Sequence, residues 1–342
     1  FLFGRLKKEP AKQTEFYADE VESVEDYSDI CGQQQAKRAM EVAASGGHNI
    51  LLSGPPGSGK TMLASRIPSI LPTMTFQEAL ETSKIYSVVG LLKTGGKLMN
   101  CRPFRSPHHS ISNSGLIGGG SYPKPGEVSL AHNGVLFLDE LTEFQRHVLE
   151  LLRQPLEAHQ VTIARAQKTL SYPARFVLVA SCNPCPCGYL GHPKIACRCS
   201  NKQVLQYQGK LSGPLLDRID IQIEVPPVAY KELRGKKEKV ESSQVISERV
   251  MQVRELQHRR YTNEKVYLNS QMETAHLNKH CNLNVEGEKI LKVSMERFHL
   301  SARAVNRILK VSRTLADMDA CENIQMDHLL EAIQYRCLDQ KL

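Results

Sequence analysis

From Ser28 to about Val225, short apolar runs alternate with stretches whose apolar residues recur at helical spacing. Asn49-Ile50-Leu51-Leu52, Val135-Leu136-Phe137-Leu138 and Phe176-Val177-Leu178-Val179-Ala180 each predict a buried strand, and Ile219 to Val225 predicts a fourth. These runs are apolar throughout rather than alternating, the pattern of strands covered on both faces. Between them, residues 141–153 place Leu141, Phe144, Val148, Leu151 and Leu152 on one face of a predicted helix. Strands alternating with helices imply a parallel sheet in an α/β domain.

Pro226-Pro227 ends that rhythm. Beyond it Ile246, Val250 and Val253 form one helical stripe, Val305, Ile308, Leu309 and Leu315 a second, and Met326, Leu329, Leu330 and Ile333 a third. The expected organisation is a polar N-terminal tail over 1–24, an α/β domain over 25–227, and a small all-α domain over 228–342. No repeat or low-complexity tract interrupts it.

With 342 residues the chain is long enough for two sizeable cores. No apolar run approaches the roughly 20 residues of a membrane helix, so no membrane association is expected. The first residues, FLFGRLKKEP, carry no signal-peptide core, which argues against secretion and for a cytoplasmic protein. They also lack an initiating methionine, as a piece of a longer chain would. A net charge of +8 suits a polyanionic partner without demanding one. Ten cysteines without an export signal point to reduced thiols, burial or metal binding rather than a disulfide framework.

Gly54-Pro55-Pro56-Gly57-Ser58-Gly59-Lys60-Thr61 fits the phosphate-loop pattern, with a strand before it and a helix after it. Its glycines let backbone N–H groups turn inward around phosphate oxygens at a helix N-terminus. Lys60 is expected to reach the β and γ phosphates of ATP, and the Thr61 hydroxyl to ligate magnesium. The strand 135–138 ends in Asp139-Glu140, at the edge where the phosphates would lie. Asp139 is then the second magnesium ligand, and Glu140 the group that polarises the attacking water. The third strand ends at Ser181-Cys182-Asn183. Asn183 either orients the water or is a turn residue before Pro184.

Taken together, GPPGSGKT, LFLDE, ASCNP and LLDRID stand in the order of AAA+ ATPases. PFRSPHHS (103–110), PGEVSLAHNGVLFLDEL (125–141), NPCPCG (183–188), SGPLLDRID (212–220) and LSARAVNRILKVSRTLAD (300–317) resemble the magnesium-chelatase-like members of the ComM or YifB type. The resemblance runs from about residue 25 to 340. It implies a P-loop AAA+ domain followed by a helical lid, assembled as a homo-oligomeric ring of six with ATP sites between subunits. Arg218 matches the arginine finger that reaches a neighbour's γ phosphate, and Arg303 the sensor-2 arginine. Read without the family, Arg218 is a surface partner of Asp217 or Asp220, and Arg303 a solvated helix residue.

Lys60 and Asp139 stand further apart than one helix and one strand require. The excess, roughly 81–130, is rich in Gly and Pro and resembles the helix-2 insertion of magnesium chelatases and replicative helicases. His108 and His109 within it lack acids or thiols at metal spacing and read as loop or subunit contacts. Residues 161–172 alternate around a polar tip, as a β-hairpin does. In the resembling helicases this hairpin enters the pore, so Arg165 and Lys168 are expected to grip DNA phosphates independently of sequence; otherwise they are solvated charges. Cys185, Cys187, Cys197 and Cys199 form two close pairs suited to structural zinc, although CxC is tighter than the usual CxxC. Cys182 is an alternative ligand, His192 lies within the loop, and a reactive or partly disulfide-bonded loop is the other reading. The mixed run Lys231 to Glu241 reads as a solvated connector.

The resemblance thus implies a hexameric, ATP-driven DNA helicase or branch-migration motor acting on single-stranded or branched DNA in natural transformation and recombination. The alternative is an ATPase on the same scaffold that remodels protein complexes. Metal insertion would need further large subunits, and a protease partner would need the Lon-like domain that usually precedes this module.

Overall fold

The structure is a computed structural model, described here for residues 25–92, 97–120, 123–164, 169–228, 240–262, 264 and 266–336. In chain order, α1 (Gln34–Gly46) leads to β1 (Ile50–Ser53), α2 (Lys60–Ser65) and α3 (Phe76–Val88). Then come β2 (Phe104–Arg105), α4 (Asn113–Leu116), the short ribbon β3 (Gly118–Gly119) and β4 (Lys124–Pro125), α5 (Glu127–Leu130) and β5 (Val135–Leu138). Next are α6 (Arg146–Glu150), α7 (Arg153–Ala158), the hairpin β6 (Gln160–Ala164) and β7 (Thr169–Pro173), and β8 (Val177–Cys182). Last in the α/β part are α8 (Asn201–Gln208), α9 (Gly213–Leu216) and β9 (Ile221–Glu224). The rest is helical: α10 (Ser243–Arg260), α11 (Thr274–His280), α12 (Val285–Phe298), α13 (Ala302–Met318) and α14 (Met326–Gln334).

The strands pair in parallel in the order β2-β5-β8-β1-β9. All four expected strands are present: β5 has the expected bounds, and the ends of the other three are shifted by a residue or two. The fifth, β2, is only two residues long and carries no apolar run of its own, so its periodicity is too short to read. It lies inside the 81–130 excess, which is therefore not one insertion. Strand β2 belongs to the sheet, and α4, β3, β4 and α5 are the added material between β2 and β5, with α3 packed against β4 and α5.

The sheet alternates its side chains between two cores. Ile50, Leu52, Val135, Phe137, Val179, Ile221 and Ile223 enter one; Leu51, Leu136, Leu138, Leu178 and Ala180 enter the other. This is why every position in those runs had to be apolar. The first core also takes in Ile246 and Val250 of α10, Ile308, Val311 and Leu315 of α13, and Leu329 of α14. The helical part thus completes the core of the sheet layer, with α10 and α13 packed on α1, and also builds a smaller cluster of its own around Tyr261, Met272, Leu277 and Ala316.

The single helix expected over 141–153 is broken. A 3-10 turn covers Leu141–Glu143, Phe144 and Gln145 are extended, and α6 and α7 follow as separate short helices. Leu141, Phe144, Val148 and Leu152 are still buried, while Leu151 is 37% exposed. The helical spacing recorded which residues face the core, not a continuous hydrogen-bond ladder.

Candidate nucleotide site

Every strand of the sheet runs the same way, so the loops after β1, β5 and β8 meet at one edge. The phosphate loop leaves β1 at Gly54, whose N–H donates to Cys182 O at 3.2 Å. A side chain at Gly54 would put its Cβ 2.2 Å from Val225 O, so only glycine lets the loop pass this close to the chain leaving β9. Gly57 and Gly59 take φ of 73° and 92°, turning the loop into the first turn of α2.

The residues expected from the sequence converge there. Lys60 Nζ donates to Gly54 O at 2.7 Å, Pro55 O at 2.9 Å and Asn183 Oδ1 at 3.3 Å. Burial lowers the pKa of its ammonium, opposed by the negative groups around it, Asp139 and Glu140 among them. Thr61 Oγ1 donates to Asp139 Oδ2 at 2.9 Å. The Ser181 hydroxyl donates to Asp139 Oδ1, and the Glu140 N–H donates to Asp139 Oδ1 at 3.1 Å. Glu140 takes a left-handed φ of 52°, which turns the chain sharply beside the loop, and its side chain is 57% exposed.

Two observations test whether a nucleotide phosphate and magnesium fit here. The Ser58 hydroxyl in the loop is buried without a hydrogen-bond partner among the described residues, an orphan that a phosphate oxygen would satisfy. Thr61 and Asp139 present adjacent hydroxyl and carboxylate oxygens, the hard donors magnesium takes. Both groups fit.

Several contributors had no strong sequence signal. Gln33, at a left-handed φ of 56°, reaches over the loop and donates from Nε2 to Ser58 O at 3.2 Å and Pro226 O at 2.5 Å. Ser181 holds Asp139, and only its place at a strand end could have marked it. His109 Nδ1 stands 3.9 Å from Glu140 Oε2, with its ring edge-on to Phe144. A cavity of about 850 Å³ opens beside the loop, lined by Ser53, Gly54, Asn183, His192, Tyr207 and Pro226 among others.

The four-cysteine loop lies against the same edge. Sγ atoms of Cys185, Cys187 and Cys197 are 3.4, 3.7 and 3.6 Å apart in pairs, and with Cys199 all four lie within 4.8 Å of one another. A tetrahedron of thiolates about 2.3 Å from zinc has edges of about 3.8 Å, so the donor set fits zinc. Backbone N–H groups of Tyr189 and Arg198 bring the Cys187 thiol down to about 6. Cys182 is buried next to Lys60 instead, with its thiol pushed up to about 11 by burial, and is not part of the cluster. The described cysteines are free thiols.

Arg218 and Arg303 are not brought to the phosphate loop of their own chain. Arg218 lies between α9 and β9 at the opposite, N-terminal edge of the sheet, where Asn49 Nδ2 donates to its carbonyl at 3.0 Å. Its side chain is only 5% exposed and pairs with Glu157, not with Asp217 or Asp220 as a surface reading has it. Arg303 is exposed in the first turn of α13. One turn on, Arg307 donates to Asp217 O and pairs with Asp220. Asp220 is 2% exposed and also accepts the Asn49 N–H at 3.1 Å, with His48 Nδ1 3.3 Å away. The hairpin β6–β7 forms as expected, but Arg165 and Lys168 lie outside the described residues, as does most of the basic run from Lys231. No described helix is long and apolar enough to cross a membrane.

Comparison with known proteins follows this geometry. Residues 26–233 match the family model of magnesium chelatase, subunit ChlI, and residues 240–336 that of the ChlI C-terminal region. The competence protein ComM of Haemophilus influenzae is 48% identical over 316 residues, 92% of this chain and 60% of the relative. The uncharacterized protein YifB of Escherichia coli is 45% identical over 343 residues, 100% of this chain and 66% of the relative. A 38 kDa magnesium-chelatase subunit of Rhodobacter capsulatus is 25% identical over 218 residues, 58% of this chain and 55% of the relative. The chain thus spans 60 to 66% of the length of these ComM and YifB relatives. With the family model covering more than half of it and a parallel-sheet ATPase fold followed by helices, the chain belongs to the magnesium-chelatase-like family of ComM and YifB type.

Proposed function

We propose that this chain is an ATP hydrolase whose sites are completed between subunits of a ring, and that the ring moves DNA. The observation that carries the reading is the split arrangement. Lys60, Thr61, Asp139, Glu140 and Asn183 gather at one edge of the sheet, while Arg218 lies at the other with Arg303 one turn from the lid contact there. A half-site at each edge fits subunits placed edge to edge, with the arginines of one facing the phosphates of the next.

In this reading the phosphate loop and Lys60 hold the β and γ phosphates. Glu140 accepts the proton of the attacking water, and Asn183 orients that water. Magnesium, when bound at Thr61 and Asp139, neutralises charge on the phosphates. A neighbour's Arg218 stabilises charge on the transferring phosphoryl group, an effect worth about 10³-fold or more. Arg303 acts beside it as the sensor arginine. Cys185, Cys187, Cys197 and Cys199 would hold zinc, which would brace the loop behind the phosphate loop in a structural rather than a catalytic role. The name of one relative, a competence protein, together with the net charge of +8 and the hairpin, supports a DNA substrate gripped by Arg165 and Lys168.

The test is ATPase activity with and without single-stranded, duplex and forked DNA, together with strand displacement and branch migration. Turnover stimulated by DNA, with salt-sensitive DNA binding, is expected. Turnover indifferent to DNA, with no binding, refutes the motor and favours remodelling of protein complexes. Glu140→Gln is expected to bind ATP without hydrolysing it, and normal turnover would remove it from the mechanism.

A further inference from the structure

The Arg218 side chain is stored rather than presented. It is 5% exposed, and its guanidinium pairs with Glu157 and donates to Pro214 O. Yet its Nε is buried with no acceptor among the described residues. A buried arginine held for structure alone usually has its whole fork of donors satisfied; this pocket answers the charge and leaves part of the fork empty.

The backbone beneath the side chain is held independently. Asn49 Nδ2 donates to Arg218 O at 3.0 Å, and Arg307 of α13 grips Asp217 O and Asp220 on either side. The side chain can therefore change rotamer while its loop stays in place. Its partner Glu157 is 54% exposed, so water can solvate the carboxylate once the pair opens. Glu157 also stands on α7, three residues before the hairpin begins at Gln160. The chain turns at His159, at a φ of 54°, and Ala174 N donates to His159 O at 2.8 Å, closing the base of β6–β7. The stem thus connects the hairpin directly to the residue that holds the arginine.

We propose that Glu157 is a latch: it keeps Arg218 inside its own subunit, and displacement of the β6–β7 stem releases the guanidinium to the nucleotide of the neighbouring subunit. This rests on the reading of Arg218 as an arginine shared between subunits. It makes Glu157 a positioning residue that couples hairpin engagement to turnover. The plainer account is a fixed ion pair joining α7 to α9.

The experiment compares wild type, Glu157→Gln and Arg218→Ala for turnover without DNA and at saturating DNA. If the latched form holds about nine-tenths of the subunits, E157Q raises DNA-free turnover about tenfold. It then leaves the DNA-saturated rate within about twofold, while R218A is inactive in both. Phenylglyoxal modification of Arg218, followed by peptide mass spectrometry, is expected to be several-fold faster in E157Q than in wild type. A fixed ion pair predicts no such split. Inactive R218A with E157Q unchanged or slower, and Arg218 equally protected, overturns the latch and leaves the shared arginine standing. Full turnover by R218A overturns the shared arginine, and the latch with it.

Discussion

Gly188, in the four-cysteine loop, touches the phosphate loop directly, and replacing it measures how far one loop supports the other. Its φ is +79°, and an added Cβ would lie 2.5 Å from Pro56 Cδ and 2.8 Å from Pro56 Cγ. Gly188→Ala therefore has two effects. The left-handed backbone costs about 1–2 kcal/mol for a residue with a Cβ. The overlap forces the loops apart from 2.5 Å towards the 3.4 Å of ordinary contact, about 0.9 Å. A displacement near 1 Å at a reacting centre can cost about 10²-fold in rate.

Gly191, three residues on, provides the control. Its φ is +76°, and nothing lies within 4 Å of the Cβ position. Gly191→Ala carries the same backbone cost without the clash. Gly191→Ala should lose about 1–2 kcal/mol in urea denaturation, and Gly188→Ala at least as much. Only Gly188→Ala should also weaken binding of a fluorescent ATP analogue and lower turnover, by about 10- to 100-fold. Equal nucleotide affinity in the two variants would show that the cysteine loop does not position the phosphate loop.

Three further outcomes follow from named contacts. Asp220 is buried; burial alone would raise its pKa, but the Arg307 guanidinium and His48 hold it well below the usual carboxylate range. Because the folded value is depressed, its contribution to stability is complete above the unfolded value of about 3.9 and is lost as pH falls below that towards the folded value. Asp220→Ala removes the buried carboxylate that Arg307 and His48 Nδ1 contact and should cost about 3 kcal/mol at pH 7, flattening the acid limb of stability against pH; an unchanged urea midpoint would contradict this. Purified protein should carry one zinc per chain by elemental analysis, and metal-free protein after chelation should lose nucleotide affinity along with thermal stability. No metal in protein prepared without chelator would remove zinc from the cysteine loop.

Much of this site was legible in the sequence because its parts are local. The phosphate loop, Asp139-Glu140 and Asn183 each close a strand whose apolar run is unmistakable, and in a parallel sheet strand ends share an edge. The four cysteines likewise paired as their spacing implied. Residues without a run of their own were not readable. Gln33 reaches the loop from before α1, and His109 reaches Glu140 from beyond a two-residue strand. Their roles depend on contacts that no local period records.

The sequence by itself determined a parallel α/β layer followed by helices, and a phosphate-loop pattern at the end of one strand, because burial on both faces and close backbone turns each require particular residue types in a row. Tertiary structure alone decided the rest. Pro226-Pro227 marks a change of rhythm, yet the helices beyond it pack their stripes into the same core as Ile50 and Phe137. An amphipathic stripe states that a face is buried, not against what. Read from its neighbours in sequence, Arg218 is a surface partner of Asp217 or Asp220, and only packing shows it folded inward on Glu157 while Arg307 fixes the backbone beside it. Glu157 and Arg218 stand 61 residues apart along the chain, and only the fold brings them together.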